Sequence, residues 1–457
     1  MLEIRGIKSG AVLQRDENNF CKITFFADFK GEPKISLGKL SHLENNKWEL
    51  SNIYIGGPYS ITIEDDLETI TFNDIYVGDL WLLAGQSNME GAGTATPEDD
   101  IEACNSKPFI RAFFMNDEWD NAKPVLHNLE LSKDIAHKNT VINNIKSLEE
   151  RGLVLYDNPP YTHKRNIGPG YYFAKEMFKL TDGVPQGVIP AAVGGAPINM
   201  WLPSNEENYY TAAVRRIEET GSNIRGVFWA QGEGNADYEA YPSQIEAIRK
   251  DLCCKTNKNI MPFVQMQSFK CTINIGDENT NKIWSNFREM QRNMPFNTNN
   301  LATIATNDLE LDDLIHLSSD SQKIAGKRAA NAMYYLLTGC GYAEPEIDKV
   351  YITKGRYVPQ LFSEIHIRYK NTAGSLKASG VPFGFAIKKT NSNEEPSIKN
   401  IKRIFVAKNE VIISVEIPSE QLSDYEVWYA YGNDFYCNIT DGENRAIPAM
   451  GPISLKG

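Results

Sequence analysis

The stretch LLAGQSNMEG (residues 82–91) places Ser87 between two amide residues, directly after a short apolar run. A serine hydroxyl is a weak nucleophile near neutral pH. It therefore needs a base to accept its proton and a third group to hold that base in one tautomer. If the apolar run is a buried strand, the serine is displayed where that strand ends. The rest of the chain must then supply a histidine and a carboxylate.

His316 is the favoured base, because Asp313 precedes it by three residues in DDLIHLSSDSQKIAG. Residues i and i+3 lie on one side of a helical turn, so the carboxylate can accept from one ring nitrogen while the other faces outward. Asp312 and Asp308 are alternatives, since either can cap the following helix, but the spacing favours Asp313. For the remaining histidines we expect no acidic partner at a fixed spacing: His42, His127, His137, His163 and His366.

Two further stretches offer hydrogen-bond donors. Attack on an ester builds negative charge on the carbonyl oxygen, and one fixed donor stabilises it by roughly 3 kcal/mol. Asn235 in VFWAQGEGNADY can offer its side-chain NH₂, although it is equally suited to a turn. In AVGGAPINMW, Gly194 and Gly195 let the backbone approach a substrate closely. The Ser87 backbone N–H completes the set.

The pattern along the chain predicts the elements that position these residues. Residues 1–75 read as short antiparallel strands, and residues 76–340 alternate apolar runs with helical stretches, which predicts an α/β domain with a parallel sheet. The carboxyl ends of such strands are where α/β folds bind ligands. Residues 92–165 are predicted to form an irregular insertion over the cleft. Residues 341–457 again show sequence patterns typical of strands, and we expect this second β region to pack with the first.

Composition excludes some classes of function. The 457 residues are 42% hydrophobic and 23% charged, as in ordinary globular proteins. A net charge of −12 without a basic run argues against nucleic acid or anionic membranes as partners. Without an apolar stretch of signal-peptide or membrane-spanning length, we expect a cytoplasmic protein, or a secreted one if a leader was removed. The seven cysteines show no metal-binding spacing and are expected to be reduced.

Four blocks carry a resemblance to a known family. GDLWLLAGQSNMEG, AAVGGAPINMW, WAQGEGNA and DLIH resemble, in order and spacing, those of SGNH-type carbohydrate O-acetylesterases of the sialate O-acetylesterase-like group. SGAVLQRDENN and VWYAYGNDFYCNITDGENRAIPAM are similar to the family's two ends. The resemblance implies a flavodoxin-like, three-layer SGNH-hydrolase domain with a parallel sheet, flanked by β-sandwich-like regions at both ends.

The same resemblance implies roles for individual residues. Ser87 is the implied nucleophile, His316 the general base and acid, and Asp313 the residue that orients His316. The implied oxyanion donors are the backbone of Ser87, the backbone of Gly194 or Gly195, and the Asn235 amide; no metal or cofactor is implied. Leu317 stands where the family usually has proline, which concerns the shape of the loop rather than proton transfer.

Five more residues are candidates for fixing loops or contacting a substrate: Gln86, Gln231, Glu233, Arg288 and Trp201. Ordinary hydrogen bonds or a solvated ion pair are the alternatives for the polar four. Trp201 can stack on a sugar ring or lie in the core.

The expected activity is removal of acetyl groups from O-acetylated mono- or oligosaccharides, as in sialate O-acetylesterases, through an acyl-enzyme. One alternative is an acetylesterase for plant oligosaccharides of the xylan or mannan type. The other is a non-catalytic carbohydrate-binding protein.

Overall fold

The computed structural model describes residues 2–150, 165–233, 239–273, 275–356 and 358–456. These residues form two compact units. One unit takes its residues from 1–234, 243–263 and 316–331, and the other from 235–242, 264–315 and 332–457. The division into three domains at residues 75 and 340 stays a prediction.

The described amino-terminal part of the first unit consists of seven short strands, as predicted, and one strand of 17 residues. They are β1 (Ile4–Arg5), β2 (Val12–Gln14), β3 (Phe20–Ala27), β4 (Lys34–Ile35), β5 (Lys39–Glu44), β6 (Lys47–Tyr54), β7 (Gly56–Glu64) and β8 (Thr69–Gly85). Four of them form an antiparallel sheet in the order β1-β3-β6-β5. Its buried positions recur at every second residue of β3, because successive side chains of a strand point to opposite faces.

Strands and helices then alternate. They are α1 (Ser87–Glu90), β9 (Gly93–Thr94), α2 (Pro97–Cys104), β10 (Ile110–Phe113), β11 (Trp119–Asn121), α3 (Ile135–Glu150), β12 (Arg165–Ile167), α4 (Gly170–Leu180), β13 (Gln186–Pro190), α5 (Tyr209–Glu218), β14 (Gly226–Ala230), α6 (Tyr241–Thr256), β15 (Phe263–Met266), α7 (Glu278–Asn297), β16 (Leu301–Ile304) and α8 (Ser319–Thr338). The predicted α/β class is confirmed.

Strand β8 is the centre of the first unit. Its first half pairs antiparallel with β7 and parallel with β2. Its second half lies between β13 and β14, both parallel to it, and from Ile75 to Gly85 every residue is buried. A strand covered on both faces is apolar throughout, which explains the continuous run LWLLAG. One strand therefore belongs to both the amino-terminal β region and the parallel sheet.

The prediction of an irregular insertion at residues 92–165 is wrong for part of that segment. Strand β10 pairs parallel with β13 and antiparallel with β11, so residues 110–121 extend the sheet. With four and three residues, these strands are too short to show a period in the sequence. Residues 151–164 lie outside the described residues.

The carboxyl-terminal part of the second unit is built from strands β17 (Glu346–Lys354), β18 (Ser363–Lys370), β19 (Lys377–Ala378), β20 (Phe385–Lys389), β21 (Ile401–Ala407), β22 (Glu410–Val415), β23 (Tyr425–Tyr429), β24 (Ile439–Thr440) and β25 (Met450–Ser454), with one turn of helix α9 (Ser419–Leu422). Two sheets, β17-β18-β22-β21 and β20-β23-β25, contribute to one apolar core that includes Ile365, Ile413 and Val427. Within the described residues, no helix is long and apolar enough to cross a membrane.

Candidate active site

Ser87 opens a helical turn at the carboxyl end of the central strand. Strand β8 ends at Gly85, whose φ is +128°. A Cβ at this position would lie 2.0 Å from the Ala230 carbonyl oxygen, so glycine lets β8 and β14 approach closely. The Gln86 N–H donates to the same oxygen at 2.7 Å. The chain turns there, and Ser87 is left partly exposed.

His316 meets Ser87 across 229 residues of sequence. The distance from His316 Nε2 to Ser87 Oγ is 3.0 Å, and His316 is also partly exposed. This distance is within the range in which a histidine can accept a hydroxyl proton. Two of the residues singled out in the sequence are therefore brought together as a nucleophile and base require.

Asp313 belongs to the second unit, whereas His316 is the first residue of its segment in the first unit. Asp313 Oδ1 accepts a hydrogen bond from the Ile315 N–H at 2.9 Å. This bond holds the carboxylate in the turn that leads to His316. The role of Asp313 as the residue that orients the imidazole stays a prediction.

Asn88 is a residue of this site that the sequence analysis missed. Its Oδ1 accepts hydrogen bonds from the Leu317 N–H at 3.0 Å and from Gln322 Nε2 at 3.3 Å. Asn88 is buried, at 1% exposure. The residue after the serine thus holds the residue after the histidine. Its position next to Ser87 in the motif is the signal that could have identified it.

The loop after β13 contains both candidate glycines, and nearly all of its N–H groups are used. The Ala191 and Val193 N–H groups donate to the carbonyls of Leu83 and Gly85 in β8, at 2.9 and 3.2 Å. The Ala192 N–H donates to His127 Nε2 at 3.2 Å.

The two glycines of this loop differ. The Gly194 N–H donates to a carboxylate oxygen of Glu90, whereas the Gly195 N–H has no acceptor among the described residues. Gly195 has a φ of +69°, and no atom of the described residues would lie within 4 Å of a Cβ there. Within the described part of the chain, the loop therefore keeps one N–H without an acceptor.

Glu90 also escaped the sequence analysis. It is the last residue of α1, three residues after Ser87. Burial raises the pKa of its carboxyl to about 7, against the lowering effect of the hydrogen bond from Gly194. A carboxyl group three residues from Ser87 therefore has a pKa near neutral pH.

Two other candidates in the first unit, Gln86 and Gln231, contact the backbone of loop residues. Gln231 Nε2 donates to the Ala196 carbonyl at 3.3 Å, and Gln86 Oε1 lies 3.5 Å from the Gly232 nitrogen. Trp201 is 1% exposed and packs against Trp229, with ring centroids 5.3 Å apart. This placement favours the core alternative for Trp201.

Glu233 carries a buried carboxylate. Burial raises its pKa to about 7, and its Oε2 has no hydrogen-bond partner in the part of the chain that is described. Asn235, the predicted side-chain donor, lies outside the described residues, so its role stays a prediction.

Arg288 lies in the second unit, buried at 1% exposure. Its guanidinium donates to the Ala430 carbonyl at 3.0 Å and to the Gly432 carbonyl, and it lies 4.8 Å from the Phe435 ring centroid. Burial lowers the pKa of Arg288 to about 9. These contacts tie a helix to a loop of the same unit.

One expectation about the histidines is wrong. His137 has an acidic residue, Asp134, three residues before it, the same spacing as in the predicted pair. The Ser132 Oγ lies 2.7 Å from His137 Nδ1, and Asp134 Oδ2 lies 3.7 Å from that nitrogen. Arg215 donates to the same carboxylate at 2.9 Å. A second serine, histidine and aspartate therefore meet in this unit.

Burial distinguishes the two sets. Ser132, Asp134 and His137 are 3%, 5% and 0% exposed, whereas Ser87 and His316 are partly exposed. Burial lowers the pKa of His137 to about 4. A substrate cannot reach a hydroxyl that is closed off from solvent, so the buried set is structural. Over the ranges described, no three histidine, cysteine, aspartate or glutamate side chains gather as metal ligands would.

Comparison with known proteins places the chain in a family. Residues 77–335, more than half of the chain, match the family model described as carbohydrate esterase, sialic acid-specific acetylesterase. The chain therefore belongs to this family of carbohydrate esterases, and the predicted resemblance is confirmed.

Two curated relatives and one solved structure are similar to the chain. The sialate O-acetylesterases of Homo sapiens and Pongo abelii are 24% and 22% identical over 237 residues, which cover 43% of this chain and 40% of theirs. The matched region thus spans less than half of those proteins. A crystal structure described as a novel carbohydrate acetylesterase from Xanthomonas citri has a TM-score of 0.73 at 19% identity, and the match covers 98% of this chain and 99% of that one. The likeness in fold extends over nearly the whole chain.

Proposed function

We propose that the protein is a carbohydrate O-acetylesterase that removes acetyl groups from O-acetylated sugars. The observation that carries this proposal is the 3.0 Å contact between Ser87 Oγ and His316 Nε2, in a chain that belongs to a carbohydrate esterase family. The substrate is an acetylated mono- or oligosaccharide, as for sialate O-acetylesterases.

Ser87 Oγ attacks the acetyl carbonyl while His316 Nε2 accepts its proton. The tetrahedral intermediate collapses when the imidazolium returns the proton to the sugar oxygen, which leaves with its hydroxyl restored. Water, activated by the same imidazole, then attacks the acyl-enzyme, and acetate is released. Asp313 holds the imidazole in the tautomer that leaves Nε2 free to accept.

The developing oxyanion is bound by the backbone N–H groups of Ser87 and Gly195 and by the Asn235 amide. Gly195 is preferred to Gly194 because the Gly194 N–H already donates to Glu90, whereas the N–H groups of Ser87 and Gly195 have no acceptor among the described residues. A donor that is already satisfied by a carboxylate cannot also stabilise the oxyanion.

The experiment compares Ser87→Ala with Ser132→Ala in hydrolysis of p-nitrophenyl acetate. Both serines lie within hydrogen-bond distance of a histidine nitrogen, at 3.0 and 2.7 Å, so the pair is matched. We expect Ser87→Ala to lose at least about 10³-fold in kcat with its fold intact, and Ser132→Ala to keep the wild-type kcat. Activity retained in Ser87→Ala, or an equal loss in folded Ser132→Ala, would refute the assignment. Acetate release from 9-O-acetylated sialic acid and from acetylated xylo-oligosaccharides then separates the two sugar classes.

A further inference from the structure

Glu90 lies on the same helical turn as the nucleophile and reaches the loop after β13. Residues three apart on a helix lie side by side, so Glu90 is fixed relative to Ser87. Its carboxylate accepts the Gly194 N–H. A Cβ at Gly194 would lie 2.9 Å from Glu90 Oε2 and 3.8 Å from Ser87 Cβ, so a side chain there would displace the carboxylate. The missing side chain at Gly194 makes room for this contact.

We propose that Glu90 is a positioning residue of the esterase site, which holds Gly194 so that the neighbouring Gly195 N–H is left to bind the oxyanion. This inference rests on the proposed esterase function. Glu90 acts through the loop and need not touch the substrate. The loop is held at Ala191, Ala192 and Val193 by other acceptors, so Glu90 supplies the last restraint before Gly195.

The strength of this restraint depends on charge. An ionised carboxylate makes a hydrogen bond roughly twice as strong as a neutral one, and this strength is lost when the group takes up a proton. Burial places the pKa of Glu90 at about 7, so the restraint weakens as the pH falls below neutrality. Protonation of Glu90 should therefore reduce the rate as the pH falls below neutrality.

Among the described residues, the other titratable groups that line the cavity next to Glu90 are His127 and Glu130. Burial lowers the pKa of His127 to about 3, so this ring stays neutral through mild acid and keeps accepting the Ala192 N–H. Glu130 is exposed to solvent. Helix α3 adds Val141 and Asn144 to this cavity, and neither titrates.

The experiment measures the pH dependence of p-nitrophenyl acetate hydrolysis in wild type, Glu90→Gln and Glu130→Gln. We expect kcat of Glu90→Gln at pH 8 to fall by about ten- to a hundredfold, with KM within about twofold of wild type, because the glutamine can accept the N–H only as a neutral group. The ratio of kcat in wild type to kcat in Glu90→Gln should fall as the pH is lowered from about 8 to 6, because only the wild type loses a charge at this position. Glu130→Gln, which removes the same charge from the same cavity, should match wild type.

Three results would overturn the inference while the esterase function stands: an unchanged kcat in Glu90→Gln, an equal loss in Glu130→Gln, or a ratio of wild-type to Glu90→Gln kcat that does not change with pH. A thermal melt shows whether Glu90→Gln folds; if it does not, Gly194→Ala gives the same comparison, because its Cβ would lie 2.9 Å from Glu90 Oε2 and displace the carboxylate. Absence of acetyl ester hydrolysis in wild type would instead refute the proposed function, and the inference with it.

Discussion

The Asn88 side chain and the Leu317 backbone are joined by a hydrogen bond of 3.0 Å between Oδ1 and N–H. Asn88 follows Ser87, and Leu317 follows His316, so this bond joins the two segments that carry the proposed nucleophile and base. Leu317 stands where the family usually has proline, and it donates a backbone N–H that proline lacks. Leu317 therefore takes part in the loop geometry in a way that proline cannot.

Replacing Asn88 by alanine should reduce both activity and stability. The substitution leaves the buried Leu317 N–H without an acceptor, which costs about 1–3 kcal/mol, and it frees the His316 segment to move. We expect kcat to fall by about tenfold or more, because small displacements of catalytic groups have large effects on rate. Steady-state kinetics and urea denaturation measure the two effects.

Gln322→Met is the matched control for Asn88→Ala. Gln322 donates to the same Asn88 oxygen and is fully buried, but its loss leaves the bond to Leu317 in place. This variant should lose stability while keeping most of its kcat. If Gln322→Met lost as much kcat as Asn88→Ala, the link to Leu317 would not be the cause.

Gly85→Ala should destabilise the protein far more than Gly183→Ala. Both glycines have a positive φ, +128° and +88°, so both substitutions strain the backbone by roughly 1–3 kcal/mol. A Cβ at Gly85 would also lie 2.0 Å from the Ala230 oxygen, whereas the first neighbour at Gly183 is a Phe178 ring carbon at 3.8 Å. Urea denaturation should show a difference of several kcal/mol, on the order of 3. Equal losses would contradict the close approach of β8 and β14.

The buried histidines should make the free energy of unfolding depend on pH. Burial lowers the pKa of His127 to about 3 and that of His137 to about 4. In the unfolded chain a histidine takes up a proton near pH 6.5, so between pH 6.5 and 4 the unfolded state binds more protons and the folded state loses stability as the pH falls. Glu90 and Glu233 have raised pKa values and act in the opposite direction over much of this range. The contribution of one histidine to the pH dependence of stability is therefore measured as a difference between its variant and wild type.

The free energy of unfolding of His127→Gln minus that of wild type should increase by up to about 1.4 kcal/mol for each unit by which the pH is lowered from 6.5 to 4. Urea denaturation at pH 7.5, 6 and 5 gives this difference. His42→Gln is the matched control, since the His42 side chain is exposed to water in the folded state. A difference between His127→Gln and wild type that does not change with pH would show that this histidine is protonated in the folded protein.

Much of the fold follows from patterns within short stretches. The five helices α4 to α8 lie where apolar residues recur at helical spacing. The apolar run LWLLAG likewise predicts a buried strand, and it forms the end of β8. Strands β10 and β11 could not be predicted, because three or four residues carry no measurable period. Their place in the sheet depends on the neighbour β13, which lies more than 60 residues further along the chain.

The sequence by itself predicted the type of chemistry and two residues to carry it, Ser87 and His316, through motif order and residue type. The aspartate spacing alone did not distinguish the set with Ser87 and His316 from the set with Ser132 and His137, since each histidine follows an aspartate by three residues. Tertiary structure decided between them, because only packing makes one serine partly exposed and the other buried. It also decided the contacts of Asn88 with Leu317 and of Glu90 with Gly194, since hydrogen bonds between residues more than 100 positions apart leave no spacing to detect.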